Sequence, residues 1–246
     1  MARILVPLPD RDFDVTEVAV PWKLWTESAH EVVFATERGA VAACDPLLIT
    51  GVLFGQLGAE AEPKRFYAEM IESASFRAPI PYDAIDVSSF DALHLAGGHA
   101  KGMRQYVESA VLRDRVVAFV RSGKPFGAIC HGTLVLARAV DPTTGKSALH
   151  GLRTTCLPKY MERTAWMITA WKLGDYYRTY PAYVEDEVRA ALAHPSDFVL
   201  GPRTLVSRGT RTNDAAAFVV EDGRYVSARW PGDSYLYARK LAERLS

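Results

Sequence analysis

The segment Gly127-Ala128-Ile129-Cys130-His131-Gly132 has the residue types of a nucleophilic turn. Gly-Lys-Pro-Phe at 123–126 reads as the entry to a buried strand, and Thr133-Leu134-Val135-Leu136-Ala137 reads as a helix. A strand turning sharply into a helix, with cysteine at the apex and small residues two places to either side, is a nucleophile elbow. The small neighbours let the backbone bend tightly enough to push one side chain into a cleft. The amide of the next residue then points where an oxyanion would form, and the helix N-terminus favours a thiolate. The expected chemistry is that of a cysteine-dependent enzyme. Cys44 and Cys156 lack this context and read as inert, small apolar residues.

Such a cysteine needs a scaffold, and the chain alternates strand and helix patterns throughout. Residues 3–8 and 31–36 are short apolar runs suited to buried parallel strands, with helical spacing of Val18, Pro21, Trp22 and Trp25 across 15–29 between them. Phe90–Ala96 reads as a third strand ending at Gly97-Gly98, 107–121 as an amphipathic helix and 124–129 as the elbow strand. Beyond the elbow, strands are expected at 151–157, 204–207, 216–220 and 224–229, and helices near 160–172, 182–193 and 233–244. Asp233, after Pro231-Gly232, looks like the N-cap of the last helix. Repeated βα units predict an α/β fold: a doubly wound, mostly parallel sheet sandwiched by helices, with Cys130 at the carboxyl end of a strand. Stretches near 40–80 and 142–183 break the rhythm and read as insertions forming a small cap on a single domain spanning 1–246.

Composition excludes several classes of function. The 29 basic residues are matched by 29 acidic ones without a charged block, so neither nucleic acid nor a membrane surface is an expected partner. No apolar run approaches the roughly 18 residues of a membrane span, and the start lacks a signal peptide's features. Three cysteines form neither a metal-ligand spacing nor an even disulfide set, which predicts a reduced, cytoplasmic protein with no metal.

Several motifs in order along the chain resemble the ThiJ/PfpI superfamily, whose flavodoxin-like sandwich is shared with class I glutamine amidotransferase domains. They are Asp14-Val15-Thr16-Glu17-Val18-Ala19-Val20-Pro21, with a Glu four residues before a Pro; Thr36-Glu37-Arg38-Gly39 followed by Asp45-Pro46; Ala96-Gly97-Gly98-His99; the 123–137 block; and Ala228-Arg229-Trp230-Pro231-Gly232-Asp233-Ser234. The second is similar to a stretch of the heat-shock chaperone and glyoxalase III branch. The resemblance implies that Glu17 is the proton-handling carboxyl, beside Cys130. It implies an oxyanion hole from the Gly98 and His131 amides, with Gly97 and His99 at the same turn. In that branch the His after the nucleophile belongs to a Cys-His-acid triad. Glu162 is the candidate acid for orienting His131, with Asp175 and Glu185 as fallbacks, although this chain has one Glu where the branch has two. Of the many aromatics, Trp22 and Trp166 are the candidates for lining the pocket, while the 160–183 stretch suits packing or an interface.

The activity this implies is a cofactor-independent, glyoxalase III-like conversion of small 2-oxoaldehydes to 2-hydroxy acids. Cys130 would form a hemithioacetal, and Glu17 would move protons through an enediol. The alternatives are an amide or peptide hydrolase, a small-molecule hydratase, and a stress chaperone or redox sensor using Cys130 as an oxidation switch. The hydratase branch carries Asp at the first-helix position, which Glu17 counts against. A small carbonyl compound is the expected partner and a homodimer the expected assembly.

Overall fold

The computed structural model describes residues 1–52 and 57–245, so part of the 40–80 insertion, residues 53–56, lies outside the described residues. The strands are β1 (Arg3–Pro7), β2 (Arg11–Phe13), β3 (Glu31–Thr36), β4 (Ala43–Cys44), β5 (Ile80–Pro81), β6 (Ala92–Leu95), β7 (Phe126–Ile129), β8 (Val219–Asp222) and β9 (Tyr225–Ala228). Seven of them form one sheet in the order β5-β3-β1-β6-β7-β9-β8, while β2 and β4 pair separately. All neighbours in the large sheet run parallel except the β8–β9 hairpin. Gly223 takes the first of its two loop positions with φ 55°, a conformation a tight hairpin requires and Gly adopts without steric cost.

The helices are α1 (Val15–Glu27), α2 (Pro46–Thr50), α3 (Ala61–Met70), α4 (Ala74–Arg77), α5 (Met103–Glu108), α6 (Ala110–Arg121), α7 (Gly132–Arg138), α8 (Lys159–Leu173), α9 (Val184–Ala191) and α10 (Ser234–Ala242). Two groups flank the sheet: α1 packs on α3 and α10, and α7 packs on α5, α6 and α9. The central strands are buried at every position of β6, β7 and β9, as a sheet covered on both faces demands. Trp25 ties two elements together, since it is 1% exposed and its Nε1 donates to Ala238 O at 2.9 Å. Truncating a buried Trp of this kind costs about 3–5 kcal/mol.

The expected α/β sandwich is therefore present, but several elements differ from the sequence reading. The helix expected over 107–121 is broken at Ser109, whose hydroxyl caps α6 by accepting from Leu112 N. Ser competes with the helix backbone for such bonds, which favours a cap over an interior position. Residues 151–157 form no strand and contribute only a bridge from Thr154 to Phe198; 204–207 is also irregular. Asp233 stands at the N-cap position of α10, but its side chain makes no cap hydrogen bond. Its carboxylate instead takes a buried ion pair with Arg229 at 2.8 Å and accepts from Phe218 N and Arg229 N. The pull of a fully buried guanidinium outweighs a cap, because a buried charge left unpaired costs far more. The two insertions meet each other: Tyr176 OH donates to Asp45 at 3.0 Å, and Lys172 Nζ donates to Val52 O at 2.7 Å.

Among the described residues, no helix is long and apolar enough to cross a membrane.

Candidate active site

The strand order reverses between β1 and β6, and the segments leaving the carboxyl ends of β1, β6 and β7 converge there. Open α/β sheets place ligand sites at this switch point. β1 leads through β2 to Glu17 on the first turn of α1, β6 ends at Gly97-Gly98, and β7 ends at Cys130.

Cys130 has φ 55°, in the left-handed region. This is the sharp bend of an elbow, and it holds a non-glycine residue where its Cβ crowds the backbone. Thr133 Oγ1 donates to Cys130 O and fixes the turn. Gly132 has no alternative, since a Cβ there would lie 2.1 Å from Leu95 O. The strain can be measured: Cys130→Gly should be about 1 kcal/mol more stable than Cys130→Ala, because only glycine adopts this φ freely. Equal urea midpoints for the two variants would contradict a strained elbow.

Glu17 reaches the same point from the other side. Asp14 caps α1, accepting from Thr16 N at 2.8 Å and Glu17 N at 3.0 Å. The Glu-to-Pro spacing has a physical reading here. Pro21 has no N–H, so the Glu17 carbonyl loses its helical partner. His94 Nε2 replaces it, 2.9 Å from Glu17 O, while His94 Nδ1 lies 2.8 Å from Tyr237 OH. The Glu17 carboxyl accepts from Gly97 N at 2.8 Å through Oε2, and its buried Oε1 has no hydrogen-bond partner. A Cβ on Gly97 would lie 2.8 Å from Glu17 Oε2, 3.0 Å from Cys130 Cβ and 2.7 Å from His131 N. Only glycine lets these three groups meet.

The electrostatics oppose a resting thiolate. Burial pushes the Cys130 thiol well above its ordinary value, and the charges of Glu17 and Asp14 push it further, while the His131 amide opposes them. Burial raises Glu17 well above the usual carboxyl range, and the Asp14 charge adds to this. Asp14 is itself raised to about 6 by burial. Two acidic groups in one dry site cannot both ionise at once. The expected helix-induced thiolate is not what the site provides; deprotonation of Cys130 requires a neighbouring acceptor.

His131 supplies one. Its Nδ1 lies 3.5 Å from Cys130 Sγ, and its Nε2 lies 3.3 Å from Thr179 Oγ1. Thr179 donates its hydroxyl proton to His99 O at 2.5 Å. A hydroxyl has one proton, so the contact with His131 must be Nε2–H donating to Thr179. Nδ1 is then the bare acceptor that faces the thiol. Burial holds His131 well below its ordinary value and His99 at about 4, so both rings are neutral. His99 stacks edge-on against His131 at 4.8 Å and against Tyr177 at 5.8 Å.

Glu162 is not the acid that orients His131. It accepts from Val184 N at 3.0 Å and meets Arg178 at 3.5 Å, while Thr179 occupies the place beside His131. The helical run of α8 carries Glu162 to the N-terminus of α9, where a free amide attracts a carboxylate. Thr179 gave no signal in the sequence, because it lies in an irregular segment 48 residues from His131. Thr179→Val should slow alkylation of Cys130 by iodoacetamide about 5- to 10-fold, the rate equivalent of one hydrogen bond. Glu162→Gln should leave that rate within about twofold, since it removes only a remote charge. It should instead alter stability. Burial raises the Glu162 carboxyl to about 7, above its unfolded value, so the folded state binds more protons between about 4.5 and 7. The share of stability that Glu162 contributes should be lost as pH rises through that window; Glu162→Gln should show a shallower slope than wild type there, read from urea midpoints, with the raised Asp14 carboxyl still contributing.

Trp22 is buried in the apolar core, in the same cluster of side chains that contains Cys130. Trp166 donates to Asp175 at the surface. Cys130 itself is 2% exposed. Two surface cavities, of about 530 Å³ around Met1, Asp91 and Arg224 and about 340 Å³ around Arg121 and His150, contain none of these residues.

Known proteins resemble this chain in sequence or in fold. A deglycase of Pyrococcus abyssi is 25% identical over 243 residues, covering 99% of each chain. An uncharacterised protein of Schizosaccharomyces pombe is 28% identical, covering 97% of this chain and 82% of its own. The crystal structure of glyoxalase III from Candida albicans superposes with a TM-score of 0.72 at 17% identity, over 100% of this chain and 98% of that one. The ThiJ/PfpI family-like model matches residues 8–202, and the chain belongs to the ThiJ/PfpI family.

Proposed function

We propose that this protein converts small 2-oxoaldehydes, such as methylglyoxal, to 2-hydroxy acids without a cofactor. One observation carries the reading: Glu17, anchored by the Gly97 amide, shares its site with Cys130 and leaves one oxygen unpartnered. His131 Nδ1 takes the thiol proton as sulfur adds to the aldehyde carbon, giving a hemithioacetal. The Gly98 and His131 amides receive the oxyanion. His131 hands its proton to the oxyanion; Glu17, as the carboxylate, then removes the proton from the former aldehyde carbon and returns it to the neighbouring one through an enediol, while the hydroxyl proton passes from the first oxygen to the second, leaving a thioester. Water hydrolyses the thioester, so one water is consumed for each hydroxy acid released.

The burial of Cys130 supports a substrate of a few heavy atoms over a peptide, which would need an open groove. Relatives named deglycases and a structural neighbour named glyoxalase III agree with a reactive carbonyl as the substrate class. The test is formation of lactate from methylglyoxal by purified protein without added metal or thiol. No lactate from wild type, with Cys130→Ala behaving identically, would end the proposal.

A further inference from the structure

We propose that Cys130, His131 and His99 together bind a thiophilic divalent cation, zinc foremost, and that the bound ion silences the nucleophile. The ligating atoms of these three residues all lie within 4.8 Å of one another. Two imidazoles and a thiolate are a donor set that zinc favours. Zinc–sulfur and zinc–nitrogen bonds of about 2.3 and 2.0–2.1 Å at a tetrahedral angle set sulfur and nitrogen about 3.5 Å apart. Cys130 Sγ and His131 Nδ1 already stand at 3.5 Å. His99 completes the set by a closing movement of about 1.5 Å at most.

Two further observations point the same way. His99 Nε2 is buried without a hydrogen-bond partner, and a buried nitrogen lone pair or N–H left unmet carries a desolvation penalty that a ligand would relieve. His131 also has the outer support that metal-bound imidazoles usually carry: its Nε2–H is held by Thr179, which leaves Nδ1 as the free lone pair aimed at the sulfur. His99 is partly exposed while Cys130 and His131 are buried, so an ion would enter from the His99 side. Binding replaces the Cys130 thiol proton, which leaves to solvent, and both imidazoles bind as neutral ligands. Three protein ligands leave a fourth position for water. The sulfur lone pairs that would attack a carbonyl are then engaged by the metal.

The experiment uses the full-length protein freed of metal by chelator and titrated with zinc against a chromophoric zinc indicator. One equivalent should bind, with release of one proton in weak buffer, and Cys130 should become protected from iodoacetamide until chelator is added. Cobalt in place of zinc should give a near-ultraviolet sulfur-to-metal charge-transfer band that is lost in Cys130→Ser. Cys130→Ser and His99→Ala should each weaken zinc binding at least about tenfold, and Thr179→Val about tenfold through loss of outer support. Absence of stoichiometric uptake, uptake unchanged in Cys130→Ser, or a cobalt spectrum without the sulfur band would each overturn the proposal. None of these readouts depends on turnover, so their failure would leave the carbonyl chemistry standing.

Discussion

Cys130→Ser should reduce lactate formation from methylglyoxal by at least about 10⁴-fold, the scale on which enzymes lose rate with their nucleophile. A serine hydroxyl fits the same strained turn, so the fold should persist, with an unchanged circular dichroism spectrum. It cannot deliver its proton to His131 Nδ1 as a thiol does, because the hydroxyl is a far weaker acid in a site where burial and the charges of Glu17 and Asp14 already oppose a negative nucleophile. The comparison is sharp because Cys44 and Cys156 are free and buried in the variant as in the wild type. Retention of more than about a tenth of wild-type turnover would show that the reaction does not pass through sulfur, and a proton-shuttle reading without covalent chemistry would have to replace it.

The second large effect is expected at Glu17. Glu17→Gln should lower turnover about 10²- to 10⁴-fold, the range of a lost general acid–base group. The amide can still accept from Gly97 N through its oxygen, so the junction of β6, α1 and β7 survives the change. What disappears is the capacity to take a proton from one carbon and return it to the next. Alkylation of Cys130 should therefore persist in Glu17→Gln while lactate formation collapses, a separation that a purely structural role for Glu17 would not produce. The route has its own isotopic signature: lactate formed in deuterated water should carry deuterium at its second carbon, because the Glu17 proton exchanges with solvent. Label at that carbon would require the enediol route, since a direct hydride shift carries no solvent hydrogen into the product.

Much of this site was legible before any coordinates. The elbow could be read because sharp strand-to-helix turns need small residues at fixed places, and Ala128 and Gly132 stand there for steric reasons. Glu17 was legible only through its spacing to Pro21 and its resemblance to a known family; on composition alone it is a first-turn acid like many others. The strands were recognised because buried parallel strands are continuous apolar runs, a local property. The expected strand at 151–157 does not form because its bonds are scattered: Thr154 meets Tyr225 OH and bridges to Phe198, and Thr155 N donates to Ser227 Oγ, none of which builds a ladder.

The sequence by itself therefore determined the α/β class and the sharp turn that presents Cys130, since each depends on residues adjacent in the chain or on one strand's periodicity. Only the tertiary structure decided which groups complete the site. Thr179 rather than Glu162 sets the tautomer of His131, His94 replaces the hydrogen bond that Pro21 cannot make, and the Asp233 carboxylate, at the N-cap position of α10, pairs with Arg229 instead of the helix amides. Each of these is a competition for one hydrogen-bonding partner between groups distant in sequence. It is settled by burial and direction, which residue types and spacing do not record.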